Sequence, residues 1–431
     1  MVTDAACETV SLVLHDGHEG RERGAEGPVA ADDDQSPSQP VAAAFYIPAM
    51  IKLAVSSTAS GEAEAAVARL PSLTGLRWAA AFFVFAFHLH IVGALRGDAG
   101  AVAATLFRGG SAGVSFFFVL SGFVLAWSYR SRPGFHRARF ARVYPLHLFT
   151  ALAALLLVIS YERGPAPSLT VILTNLTLTH AWMPHEAYVQ SLNTVSWTLS
   201  CEALFYLLLP CLVAATRRLS ASGLWMFGGA AALVVPVGPA LLGAVAGRDA
   251  ATWFFHWTPP GRLPEFVVGV VLARLVVTGA WRFRPPMAAA VAMAAGGCLL
   301  ASFVPTPYRY AAATLPGFVL LIAAAAHADR SGHRSGAGHP LMVRLGEVSY
   351  AFYLVHLLVL RVGIVAVDER GRAVGEGVPY SLGCFAVSLG IASLLYVAVE
   401  SPARRLLQRG RRAVDRTCTD GDQRMLEERA R

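Results

Sequence analysis

Arg77 and His88 are the two residues whose types and spacing bring chemistry to mind first. They stand eleven positions apart in one apolar stretch. On an α-helix that separation is three turns plus about 20°, so both side chains face the same side, with His88 about 16 Å deeper than Arg77. A permanent cation at a membrane mouth and an imidazole at depth suit an anionic substrate that enters from the cytoplasm. The guanidinium keeps its charge and the imidazole handles a proton. Taken singly, the plainer reading is favoured for each: Arg77 as a snorkelling side chain and His88 as a satisfied core histidine. His90 points elsewhere.

Ionisable groups at membrane depth are expensive and default to functional readings. Between residues 67 and 400 only twelve acids occur, and four of them, Glu202, Glu265, Glu347 and Glu400, fall in or beside apolar stretches. His356 also lies at that depth. A buried Glu202 needs a histidine or arginine on another helix. Arg262 and Glu265 can pair with each other across one turn. Glu400, two residues before Pro402, stands at a helix C-terminus, where a carboxylate needs a basic partner or a task. Arg139 and Arg142 sit in a basic loop that can grip phosphates bidentately, or simply mark topology. Ser121 lacks the surroundings of a nucleophile elbow. With Gly122 it reads as helix packing, the glycine allowing close approach.

These residues need elements to hold them. The chain has 431 residues, 55% hydrophobic and 15% charged, against roughly 25% charged in soluble domains. Its apolar residues come in blocks of about 17–22, the length that crosses some 30 Å of hydrocarbon. The expectation is an all-α integral membrane protein with about ten transmembrane helices. They fall near 75–94, 112–129, 144–161, 194–214, 222–246, 262–279, 286–304, 309–327, 347–366 and 380–400. Helices are required because lipid satisfies no exposed backbone group.

Arginine sets the orientation. Arg130, Arg132, Arg137, Arg139 and Arg142 follow the second stretch, Arg217 and Arg218 the fourth, Arg282 and Arg284 the sixth, Arg330, Arg334 and Arg344 the eighth, and Arg404, Arg405, Arg409, Arg411 and Arg412 the tenth. All are even-numbered exits, so they share the cytoplasmic side and both termini are expected there. The net charge of +8 therefore reflects topology, and no nucleic-acid partner is implied. Residues 1–66 read as a disordered acidic tail, 67–405 as the membrane domain and 406–431 as an Arg-rich cytoplasmic tail. The six cysteines form no CxxC pair and no His/Cys spacing points to zinc, so neither a structural disulfide nor a metal is expected. No internal repeat is evident, which weighs against a transporter.

Taken together, the segments resemble the bacterial acyltransferase 3 family of membrane enzymes. The family pattern opens with Leu76-Arg77, Ala80 and His88. It continues through the phenylalanine-rich Ser-Gly-Phe segment at 116–123 and the basic loop from Arg139 to Pro145. Trp197, Leu199, Glu202 and Tyr206 follow, with Thr198 in place of the usual serine. Ser349, Tyr350, Tyr353, Leu354 and His356 come next, and Glu400 with Pro402 closes the pattern. The match runs in order from residue 70 to about 405. The wording of residues 70–77 is also similar to actinomycete enzymes that acylate antibiotics, notably macrolides.

The resemblance implies a ten-helix bacterial plasma-membrane enzyme. Such an enzyme moves an acyl group from acyl-CoA, its co-substrate, to a hydroxyl of a small molecule or sugar, and it holds no permanent cofactor. It implies His88 as the essential catalytic histidine with Arg77 in support. Glu400, and after it Glu202, becomes the acidic partner that fixes the imidazole tautomer. Arg139 and Arg142 meet the CoA phosphates. Acylation of cell-envelope glycans and transport without chemistry are the rival readings. On the first reading His88→Ala abolishes acyl transfer while folded protein persists, measured with radiolabelled acyl-CoA in membranes; retained transfer would remove His88 from the mechanism.

Overall fold

Backbone satisfaction in an apolar setting leaves helices as the building material, and the computed structural model is helical accordingly. It describes residues 70–95, 97–130, 134–160, 166–368, 377–403 and 405, with no strand among them. The acidic segment 1–66 and the tail 406–431 lie outside the described residues.

Each of the ten expected stretches holds a helix: α1 (Pro71–Ile91), α2 (Gly113–Ser128), α3 (Phe135–Ser160), α4 (Trp197–Arg217), α5 (Ala221–Ala246), α6 (Pro259–Val277), α7 (Met287–Ala301), α8 (Leu315–Arg330), α9 (Pro340–Asp368) and α10 (Val378–Leu395). Seven helices are long and apolar enough to cross a membrane. The other three differ for stated reasons. α6 has the length but carries Arg262, Glu265 and Arg274. α7 and α8 have 15 and 16 residues, short of the roughly 20 a straight crossing needs. A helix at Gly97–Phe107 and a 3₁₀ turn at Arg108–Ala112 lead into α2.

Small residues set the closest contacts. A Cβ on Gly269 of α6 would collide with the Val119 carbonyl of α2, and one on Gly122 of α2 would collide with the Phe266 carbonyl of α6. The two backbones therefore touch, as small-residue helix pairs in lipid do. Around that contact Arg262 Nε lies 3.1 Å from Glu265 Oε2, so the expected one-turn pair is present. The Ser115 hydroxyl of α2 donates to the same carboxylate. The Arg262 guanidinium sits 5.2 Å over the Phe118 ring. A buried charge is tolerable only when paired and hydrogen-bonded in this way.

The start of α1 is fixed from outside. Its N-cap residue, Leu70, offers no side-chain acceptor. Asp329, at the end of α8, replaces it: its carboxylate accepts the Ser72 N–H at 2.9 Å and the Ser72 hydroxyl at 2.5 Å. A carboxylate at a helix N-terminus satisfies free donors and complements the dipole. Gly346 of α9 lies against the Thr74 carbonyl, and Trp78 packs on Phe352 with ring centroids 5.0 Å apart, which joins α1 to α9. At the other extreme α5 buries only Leu224, Val235 and Pro239; its remaining apolar surface faces outward.

Gly269→Val should prevent assembly of α2 on α6, since overpacking a closed contact costs about 1–3 kcal/mol or more. Gly296→Ala, at a position facing open space, should leave the protein intact. Thermal denaturation of detergent-solubilised protein separates the two outcomes.

Candidate active site

A cavity of about 320 Å³ runs inside the bundle between α1, α2, α3, α4 and α9. Its lining reaches from Ser128 at one end of α2 to Val114 at the other, fourteen residues or about 21 Å of helix. Most of the wall is apolar, formed by residues such as Leu73, Phe118, Leu120 and Leu199.

The charged groups on the cavity's lining are Arg77, Arg139, Arg142 and Glu202, with Tyr206 among them. The basic loop of the sequence is here the first turns of α3, which carry Arg139 and Arg142 into the cavity wall. The Tyr206 hydroxyl, one turn beyond Glu202 on α4, donates to Glu202 Oε2 at 2.5 Å. Arg77 interacts electrostatically with Arg142, Glu400 and Glu202. Glu400 is buried in a π-helical turn, Tyr396–Glu400, that closes α10. Single π turns recur at functional positions. The two glutamates are therefore gathered around Arg77.

His88 lies beyond the Val114 end. Its Nδ1 is 2.9 Å from the Val84 carbonyl and 3.0 Å from Nε2 of His356 on α9. His356 Nδ1 is 3.2 Å from the Phe352 carbonyl. The ring centroids of the two histidines are 4.9 Å apart. Neither His88 nor His356 lines the cavity. A Cβ on Gly113 would meet the Val84 side chain, so Val114, at the cavity's end, lies about one helical turn from His88. Between cavity and histidines stand Phe117 and Tyr353, with centroids 6.0 Å apart. Both line the cavity, and Tyr353 in turn lies 5.9 Å from the His356 ring. The one-face reading of α1 corresponds to this arrangement: Arg77 borders the cavity that Tyr350 and Tyr353 also line, and His88 meets the same helix, α9, deeper in.

A lock outside the expected helices fixes the height of His356. The Asn193 amide donates to the Leu354 carbonyl at 2.8 Å, the Tyr353 hydroxyl to the Val195 carbonyl at 3.2 Å, and Arg361 to the Leu192 carbonyl at 2.7 Å. Leu192 adopts φ +53°, a conformation that a leucine holds only under tertiary constraint. Behind it, His180 lies 3.2 Å from the Ser200 hydroxyl and 3.4 Å from that of Ser196. Burial, and after it the nearby His147, pushes the His180 imidazole down to about 3.

Residues 70–397 match the acyltransferase 3 family, described as an acyltransferase domain. The chain belongs to that family. Acyltransferase MdmB of Streptomyces mycarofaciens is 39% identical over 368 residues, covering 80% of this chain and 94% of the relative. Exopolysaccharide production protein ExoZ of Rhizobium meliloti (strain 1021) is 29% identical over 320 residues, covering 70% of this chain and 91% of the relative. No solved structure matches the chain. This member of the acyltransferase 3 family thus gathers Arg77, Arg139, Arg142, Glu202 and Glu400 near one another, while His88 meets His356. Among the described residues the side chain hydrogen-bonded to the His88 ring is His356, while Glu202 and Glu400 lie near Arg77.

His356, Tyr206 and Tyr353 carry no role on spacing alone. The available signals were the depth of His356 in a chain poor in buried charge, and the one-turn offset of Tyr206 from Glu202. Since Phe117 and Tyr353 separate cavity from histidines, Phe117→Ala should widen the passage and shift preference toward longer acyl groups. Competition between acyl donors of increasing length measures the shift.

Proposed function

We propose that this chain is a multi-pass enzyme of the bacterial plasma membrane that transfers a short acyl group from acyl-CoA to a hydroxyl of a small molecule, a macrolide or a similar secondary metabolite. The observation that supports this most is the cavity running from a cluster of three arginines toward a half-buried histidine. An anionic donor with a long uncharged arm fits that layout. The phosphates would sit among Arg77, Arg139 and Arg142, and the arm would follow the apolar wall to bring the thioester to His88. On this reading all ten helices cross the membrane, the arginine end and both termini face the cytoplasm, and the donor enters from there.

The chemistry balances on one histidine. His88 Nε2 removes the proton of the acceptor hydroxyl as its oxygen attacks the thioester carbonyl. The new ester bond forms and the carbon–sulfur bond breaks. The proton passes from His88 to the departing thiolate, which leaves as CoA. An acyl-histidine intermediate is the other route open to the same residue. Glu202 and Glu400 act at the donor end, where they hold Arg77 and keep the half-buried arginines from repelling one another.

The small-molecule acceptor draws on the 39% identity to a Streptomyces protein named an acyltransferase. A second reading, acylation of an envelope polysaccharide, draws on the relative named for exopolysaccharide production. Membranes containing the protein, supplied with radiolabelled acetyl-CoA or propionyl-CoA and either hydroxylated macrolides or polysaccharide, decide between them by where the label appears. Label in neither acceptor class would overturn both.

Removing phosphate contacts should weaken donor binding while sparing the chemical step. A hydrogen bond to a charged group is worth about 1.5–3 kcal/mol. The Arg139→Gln/Arg142→Gln double variant should therefore raise KM for acyl-CoA about 10- to 100-fold with kcat little changed. A fall in kcat at constant KM would place these arginines elsewhere in the mechanism.

A further inference from the structure

The proton inventory around the two histidines assigns a role that the functional reading alone leaves empty. A backbone carbonyl only accepts hydrogen bonds. Val84 O lies 2.9 Å from His88 Nδ1, and Phe352 O lies 3.2 Å from His356 Nδ1. In the neutral rings both Nδ1 atoms therefore carry hydrogen. It follows that His356 Nε2 is bare, and that the 3.0 Å contact between it and His88 Nδ1 is a hydrogen bond donated by His88. The His88 Nδ1 hydrogen is shared between Val84 O and His356 Nε2. The opposite assignment, with His356 donating, would set two nitrogen lone pairs against two carbonyl oxygens.

The setting gives His356 nothing else to do with its nitrogens. Its side chain is fully buried, stacked on Phe352 at 5.9 Å and edge-on to Phe85 at 6.2 Å. One ring nitrogen is committed to its own helix and the other to His88. A neutral acceptor also suits the depth. A carboxylate here would be an uncompensated buried charge whenever His88 is neutral, whereas the imidazole pair is uncharged at rest.

We propose that His356 is the positioning residue of acyl transfer, holding His88 as the Nδ1–H tautomer so that its Nε2 is the free base that meets the acceptor hydroxyl. This rests on the reading of His88 as the base. When Nε2 takes the hydroxyl proton, the His88 imidazolium keeps Nδ1–H donated to the bare nitrogen of His356. That hydrogen bond strengthens as charge develops, and the ring cannot rotate away. When the thiolate of CoA recovers the proton from Nε2, both rings return to their starting state. His356 touches neither donor nor acceptor and exchanges no atom with them.

The test compares His356→Leu, His356→Gln and His88→Ala in membranes, using radiolabelled acetyl-CoA with a hydroxylated macrolide and normalising to folded protein. Leu fills the space without an acceptor, whereas the Gln carbonyl can accept the His88 hydrogen. The expected result is a kcat about 10- to 100-fold lower in His356→Leu, KM values within about twofold of wild type, and recovery of most of the loss in His356→Gln. Wild-type kcat in His356→Leu, or equal loss in the Leu and Gln variants, overturns the proposal. Transfer that survives His88→Ala overturns the base reading instead. A readout that needs no acceptor is ¹⁵N-histidine solid-state NMR in lipid. A hydrogen-bond coupling between His88 Nδ1 and His356 Nε2, lost in either single variant, supports the assignment, and its absence in wild type overturns it.

Discussion

A polar group inside an apolar bundle must have its partner supplied by the fold, and that constraint shapes every part of this protein. Water is not available to absorb errors there. The Arg262–Glu265 pair receives the Ser115 hydroxyl from α2. The open N-terminus of α1 receives the Asp329 carboxylate from α8. The His88 ring receives Val84 O from its own helix and His356 from α9. Each solution ties two helices at one height, so together they register α1 against α8 and α9, and α2 against α6. The cavity is the space these fixed helices leave between them.

The same constraint separates charge from chemistry. The arginines collect where Glu202 and Glu400 can face them, at the end of the cavity that the basic stretch of α3 also lines. The histidines sit past Phe117 and Tyr353, among aromatic rings. An arrangement with a glutamate against the His88–His356 contact would have placed a charge beside the fully buried His356 ring. Two imidazoles achieve orientation without one. The segment from Leu192 to Val195, held in part by a leucine at positive φ, keeps the His356 turn of α9 from sliding.

Much of this was legible in the residues because it depends on local periodicity. Eleven residues of helix bring Arg77 and His88 to one side whatever surrounds them. The three-residue offset of Arg262 and Glu265 makes them neighbours. Gly122 announced a close contact, though not that Gly269 would answer it. What was not legible lies far apart in the chain. His356 is 268 positions from His88 and Asp329 is 257 from Ser72, and no spacing rule predicts such meetings. The span lengths were also incomplete guides: hydropathy alone does not reveal that α7 and α8 stop at 15 and 16 residues. Glu400 was visible as an oddity at a helix end, but its π turn and its place beside Arg77 come only from packing.

Arg77 and His88 ride on a single unbroken helix, rooted at one end by Asp329 and clasped along its length by α9. A helix held that way is a ruler. The interval between its two marks is fixed by covalent geometry and is not set by a hinge or a moving loop. On the proposed function, a carrier molecule is judged by its reach: one whose anchor and reactive end match the interval would be read as correct, and one too short could not occupy both marks together. Selectivity of this kind needs no pocket shaped to the carrier's middle, which is consistent with a cavity whose wall is mostly apolar.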